Sequence, residues 1–143
     1  MVNTAVVLAA ALAINGVIAP PQGHYCLRFV RQVVEHAYGW APMEFYRQFW
    51  THTVEENRSG EPWARDLERS LRNAGFQVHE PAAGDLVFNY RSAWPKGHAG
   101  VMLSDVLVLD VWPSVRGSSL RVTPVWVWAP TTVIRLPDPR AGP

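Results

Sequence analysis

A single cysteine, Cys26, stands where the loop Pro20-Pro21-Gln22-Gly23-His24-Tyr25 gives way to a stretch of helical periodicity. A thiol at a helix start has free backbone N–H groups and the positive end of the helix dipole beside it. Both stabilise the thiolate, which is the nucleophilic form. A lone cysteine is also, and more commonly, a small buried apolar side chain. His98 offers the second part of the chemistry. It follows Lys96-Gly97 and begins the apolar run Ala99-Gly100-Val101-Met102-Leu103, so its ring can point from a strand edge into a cleft. Cysteine-dependent acyl transfer needs these two parts: the histidine takes or shares the thiol proton, then protonates the leaving amine. The competing reading of His98 is a satisfied histidine at a strand end.

Asp110 is the candidate third member, an acid that orients the imidazole and fixes its tautomer. Strand register decides whether it reaches His98. A three-residue loop at Ser104-Asp105-Val106 pairs Gly100 with Asp110 and His98 with Trp112. His98, Gly100, Met102, Val108, Asp110 and Trp112 then share one face, and Ala99, Val101, Leu103, Leu107, Leu109 and Val111 the other. A two-residue loop instead puts Asp110 among Ala99, Val101 and Leu103, where an unpaired buried carboxylate costs several kcal/mol. The hydrophobic alternation therefore favours the longer loop, although Val106 suits a left-handed turn position poorly. Asp105 reads as a solvated turn residue.

The other histidines compete less well. His24 lies two residues before Cys26 and can line the cleft, but a loop fixes its ring poorly. His36 is ten positions along the same helix, about 15 Å away at 1.5 Å per residue, too far to act as the base. His52 and His79 sit in polar stretches and read as surface residues. No two histidines stand at i, i+4 spacing with an acidic partner, so no metal site is expected, and no cofactor is implied. The seven tryptophans default to core. Trp94 and Trp112 bracket the cleft and, with His24 and Tyr25, are the candidate substrate-binding residues.

These side chains need helices and strands to hold them, and the two halves of the chain supply one each. Leu27, Val30, Val33, Val34 and Ala37 recur at helical spacing with Arg28, Arg31, Gln32 and Glu35 between them, and Gly39 marks the end. A buried helix is expected over Thr4 to Asn15, capped by Asn3 and ended by Gly16. A second is opened by Pro42 and runs to about Thr53, and a third spans Trp63 to Ala74, closed by Gly75. Strands are expected over 76–78, 86–90, 99–103, 106–112, 121–128 and 132–136. Pro124 and Pro130 make the last two read as edge or bulged strands. The fold class is α+β, with N-terminal helices on a C-terminal antiparallel sheet, in one catalytic domain over 1–136 with a loose tail over 137–143.

Composition narrows the function classes. The chain has 143 residues, 48% of them hydrophobic and 17% charged, enough apolar material for one core. Thirteen basic residues against 12 acidic ones leave a formal charge of +1, which gives no general electrostatic grip on nucleic acid or anionic lipid. The apolar stretch 5–19 has no Lys or Arg ahead of it and two prolines after it. It is shorter than the roughly 20 residues of a spanning helix, so neither a cleavable signal peptide nor stable membrane insertion is expected.

Three segments resemble one family. Gly23-His-Tyr-Cys26-Leu-Arg-Phe29-Val30 looks like the cysteine motif of CHAP domains. Pro81-Ala-Ala-Gly84-Asp85-Leu-Val-Phe88 is similar to a strand entry shared by CHAP and NlpC-type peptidases, and Gly97-His98-Ala-Gly-Val101 resembles their histidine strand. The motifs occur in the family's order and cover most of residues 20–112. The resemblance implies a papain-like fold, Cys26 as nucleophile, His98 as base, a polar residue on the next strand (here Asp110) as orienting partner, and a peptide or amide substrate in bacterial peptidoglycan. It also implies a bacterial or phage protein acting at the cell wall or periplasm. Tyr25, Leu27 and Arg28 replace the Asp and Ser-Gly that flank the cysteine in NlpC-type members and bear on stem-peptide recognition, so the substrate carries over less well than the nucleophile and base. A second reading is a non-catalytic domain of the same fold, a component of a phage particle or secretion device with an immunity or tail protein as partner. A third is a papain-like hydrolase or transferase acting on protein.

Overall fold

Helix α2 (Tyr25–Tyr38) is amphipathic, with Leu27, Phe29, Val30, Val33 and Val34 buried along one stripe, and its neighbours cover more of it than that stripe alone. The computed structural model describes residues 4–14, 25–50, 62–91, 94–114 and 117–137. Helix α1 (Thr4–Ile14) lies against it, burying Val7, Ala10 and Ala11 at i, i+3, i+4 spacing while Leu8 faces outward. Over residues 4–11 the expected buried helix is thus buried along one stripe only, and its expected caps, Asn3 and Gly16, lie outside the described residues. Helix α3 (Glu44–Phe49) packs on another side of α2, and the sheet takes a third.

Because α2 is so enclosed, two of its charged residues go inside. Arg31 and Glu35, expected between the apolar positions, are buried and pair at 2.6 Å. The second Glu35 oxygen accepts the Phe45 backbone N–H at 3.1 Å, so one buried carboxylate also satisfies the first turn of α3. Burial pushes the Glu35 carboxyl up, against the lowering effect of the Phe45 amide and of Arg31. Arg31 lies over the Tyr46 ring, 5.6 Å from its centroid.

Helix α4 (Ala64–Asn73) follows Trp63 and ends at Gly75, whose φ of 88° is the left-handed conformation that stops a helix. Its buried Glu68 accepts hydrogen bonds from Tyr90 at 2.5 Å and Thr132 at 3.1 Å, tying the helix to two strands. The strands are β1 (Gln77–Val78), β2 (Leu86–Arg91), β3 (Trp94–Met102), β4 (Leu107–Ser114), β5 (Gly117–Pro124) and β6 (Thr132–Ile134). They form one antiparallel sheet in the order β1-β6-β2-β3-β4-β5. A short helix α5 (Val125–Trp128) separates β5 from β6. Mixed helix and antiparallel sheet agrees with an α+β class.

Side chains alternate across this sheet. Leu86, Phe88, Ala99, Val101, Leu109, Val111 and Ile134 join the helices in the main core, while Val87, Met102, Val108 and Val133 form a smaller core with Trp128 on the other side. Three expectations need correction. The stretch 121–128 is not one strand: Pro124, with φ −57°, ends β5, and the chain turns into α5. β6 is no edge strand, because it begins two residues beyond Pro130, keeps its own N–H groups and is paired on both sides by β1 and β2. The default of tryptophan to core also fails at Trp126, which is 70% exposed beside Val127 at 60%.

Two glycines are required where the sheet meets the site. Gly97 has φ 83°, and a Cβ there would lie 2.9 Å from the Tyr90 ring and 3.1 Å from the Arg65 backbone N. At Gly100 a Cβ would lie 2.9 Å from Val108 Cγ1 and 3.1 Å from the Leu109 carbonyl oxygen, so only a glycine lets β3 approach β4 this closely.

Candidate active site

The register of β3 on β4 determines what Asp110 can reach. Val101 pairs with Leu109 and Met102 with Val108, and Leu103 N donates to the Leu107 carbonyl oxygen at 2.8 Å, leaving Ser104, Asp105 and Val106 as the loop. Val106 does not take a positive φ. The turn is held instead by the Ser104 hydroxyl oxygen, which accepts the backbone N–H groups of Val106 at 3.2 Å and Leu107 at 3.1 Å. The objection to Val106 in this loop therefore falls away, and Asp110 leaves the apolar face.

On the face it joins, the Asp110 carboxylate is fully buried and its Oδ2 accepts the His98 Nε2–H at 2.7 Å. Cys26, second residue of α2 and half-buried, is a hydrogen-bonding neighbour of the ring. Helix α2 packs along β3 and β4, which brings its first turn to the histidine. With Nε2 committed to Asp110, Nδ1 is the nitrogen left for the thiol. Cysteine, histidine and aspartate thus meet from α2, β3 and β4.

Residues that sequence reasoning passed over complete the site. Arg121 on β5 lies directly across from Asp110 and binds it through both oxygens, Nε to Oδ1 at 3.0 Å and Nη2 to Oδ2 at 2.7 Å. Trp128 donates its indole N–H to Oδ2 at 2.9 Å and stacks on the His98 ring, centroids 5.5 Å apart at 28°. Asn89, cross-strand partner of His98, donates to the Trp128 and Ala129 carbonyl oxygens at 2.9 and 2.8 Å and so anchors α5. The signal for Arg121 was the β4–β5 hairpin register. Trp128 had none, since its stretch read as a strand.

Comparison with protein-family models and with curated proteins returns no match for this chain.

Of the remaining candidates, Tyr25 opens α2, Trp94 opens β3 opposite Arg91, and Trp112 lies in β4 opposite Ser119, but their side chains fall outside what the structure describes. His24 and His52 lie outside the described residues. His36 and His79 are exposed. No group of three or more His, Cys, Asp and Glu among the described residues is placed to hold a metal ion, and none of the described helices is long and apolar enough to cross a membrane.

Burial opposes charge on His98, yet the hydrogen bond to Asp110 and the neighbouring Cys26 outweigh it, and the pKa is pushed up from 6.5 to about 9. Burial likewise opposes charge on Asp110, but hydrogen bonds from His98, Arg121 and Trp128 bring it down from 3.8 to about 2. A pH dependence of stability follows. The His98 contribution is fully present below pH 6.5 and is lost as pH rises through about 9. The Asp110 contribution is fully present above pH 3.8 and is lost as pH falls through about 2. Urea unfolding is therefore expected to show the wild-type advantage over His98→Gln shrinking between pH 6.5 and 9.5, by on the order of 3 kcal/mol. An advantage that stays level across that range contradicts the ion pair.

Proposed function

We propose that this protein is a cysteine-dependent amidohydrolase of papain-like fold that cleaves an amide bond, as endopeptidase or amidase, in bacterial peptidoglycan. The observation that carries the reading is the meeting of Cys26, His98 and Asp110, with a cysteine at a helix start against a histidine whose far nitrogen is bound by a buried carboxylate. A papain-like arrangement is supported by the chain order: cysteine helix first, then the histidine strand, then the strand of the orienting acid, all within one antiparallel sheet and its covering helices.

In this reading the Cys26 sulfur attacks the amide carbonyl carbon, and the negative charge moves to the carbonyl oxygen beside the first backbone N–H groups of α2. The C–N bond then breaks as the His98 imidazolium gives its proton to the leaving amine, leaving a thioester on Cys26 and a neutral ring. A water molecule loses a proton to that ring as its oxygen attacks the thioester. The carboxylic acid departs, and the thiolate–imidazolium pair is restored. Asp110 holds the ring and the charge it carries in the first and last states.

The amide chemistry is supported by the geometry, and peptidoglycan as the substrate by the resemblance of the three motifs. One experiment separates the two parts. Iodoacetamide is expected to alkylate Cys26 faster than glutathione at pH 7, and purified cell walls are expected to yield new amino groups on incubation with the protein. Alkylation no faster than glutathione overturns the nucleophile. Fast alkylation without release from walls overturns the substrate class and leaves the nucleophile standing.

A further inference from the structure

Asp110 has more partners than an orienting acid requires. Its two oxygens accept four N–H donors: Arg121 Nε at Oδ1, and His98 Nε2, Arg121 Nη2 and Trp128 Nε1 at Oδ2. Two cationic side chains therefore meet at a single oxygen atom. The His98 ring faces Cys26 from α2, Asn89 from β2, Asp110 from β4, Arg121 through the shared carboxylate from β5, and the uncharged Trp128 from α5. The Arg121 side chain is 41% exposed, so its charge remains hydrated while the carboxylate it binds is buried.

We propose, on the reading of the site as a cysteine amidohydrolase, that Arg121 and Trp128 are positioning residues: they fix the Asp110 carboxylate in the orientation that meets His98 Nε2, and the charge of Arg121 limits how firmly that carboxylate holds the imidazole proton. The planar guanidinium fork bonds both oxygens and sets the rotation of the carboxylate. The Trp128 N–H directs Oδ2 toward the ring that the indole itself covers. Each of these donors draws on the same negative charge as His98, and Arg121 adds repulsion between like charges. The reaction needs the ring to give up its proton in acylation and to accept one in deacylation. A carboxylate shared with Arg121 leaves the ring able to do both. One held by His98 alone would keep the ring protonated and slow deacylation.

The test is the NMR titration of the His98 ring in the full chain, the His98 signal being the one missing from His98→Gln. Arg121→Gln is expected to raise the midpoint by about one pH unit, a tenfold tighter hold on the proton. Arg121→Lys, which keeps the charge and loses the fork, is expected to leave it within about 0.3 unit. Trp128→Phe keeps the stacking and removes the donor, and is expected to raise the midpoint by about half a unit, roughly threefold. Unchanged or lowered midpoints in Arg121→Gln and Trp128→Phe overturn the proposal, and Trp128→Phe decides alone if Arg121→Gln does not fold. The alkylation of wild-type Cys26 reports separately on the amidohydrolase reading. Slow alkylation defeats that reading whatever the titration gives, and fast alkylation with unmoved midpoints defeats only the roles of Arg121 and Trp128.

Discussion

Cys26→Ala is expected to leave no turnover above the uncatalysed background, with a melting temperature close to that of the wild type. The substitution removes one sulfur atom from a half-buried position at the margin of the main core, so little packing is lost. Chemistry is lost entirely, because no other thiol exists in the chain. His98→Ala is expected to be nearly as damaging, a fall of about 10²–10⁴-fold in kcat/KM, since nucleophile and base act as a unit. The measurement is hydrolysis of purified cell walls at several pH values beside thermal unfolding of each variant. Retained lysis by Cys26→Ala would remove the thiol from the mechanism. A His98→Ala variant keeping more than roughly a tenth of the rate would move the base elsewhere.

Asp110→Asn carries the second large effect, and it falls on stability as well as rate. Considered with His98 alone, the substitution preserves size and most hydrogen bonding and acts mainly on the tautomer of the ring. The structure adds Arg121 and Trp128. Whichever way the new amide turns, its NH₂ group meets an N–H of Arg121, and the cations of Arg121 and His98 lose the anion between them. Breaking a buried ion pair from one side costs about 3–5 kcal/mol, and the rate is expected to fall about 10²–10⁴-fold with the loss of the orienting charge. Without the carboxylate, burial acts on His98 with less opposition, so the midpoint of its ring falls below that of the wild type. Urea unfolding at pH 6 and the ring titration check both effects. A variant with wild-type stability and rate would show that Asp110 has no part in the site.

How far the site could be read without coordinates depended on how local the deciding forces are. The β3–β4 register was legible because one alternative buried a carboxylate among Ala99, Val101 and Leu103, a penalty that any placement of the other elements would incur. The helices at 25–38 and 64–73 were legible from apolar spacing and from stops at Gly39 and Gly75, where left-handed backbone ends the helix, whereas the helix expected from Pro42 to about Thr53 is shorter, Glu44–Phe49, starting after a left-handed Met43 and ending at an extended Trp50. Burial of Arg31 and Glu35 was not, since periodicity shows one apolar stripe and says nothing of how many neighbours will cover a helix. Nor was the interior place of β6, which comes from a crossover that joins the end of the chain to β1 and β2. Arg121 was missed because the β4–β5 register that sets it across from Asp110 was not worked out, and Trp128 because Arg121–Trp128 has the composition of a single strand, whereas the turn into α5 at Pro124 is what carries the indole over His98.

The position of β5 at the rim of the sheet gives the site a separate cooperativity. Among the described residues β4 is the only strand beside it, and the anchor of the buried carboxylate, Arg121, is a residue of β5. Rim strands exchange their amide hydrogens through sub-global openings that need less free energy than unfolding of the whole domain. When β5 frays, Arg121 leaves Asp110, and α5, the next element along the chain, loses its rigid support on that side and is held by Asn89 through the Trp128 and Ala129 carbonyl oxygens. The core built from α1, α2, α4 and the central strands meets β5 at its margin, through the partly buried Leu120, and its fully buried members all lie on other elements. Mild denaturant would therefore separate two events, with the ring of His98 released from its fixed orientation while the rest of the domain is still folded.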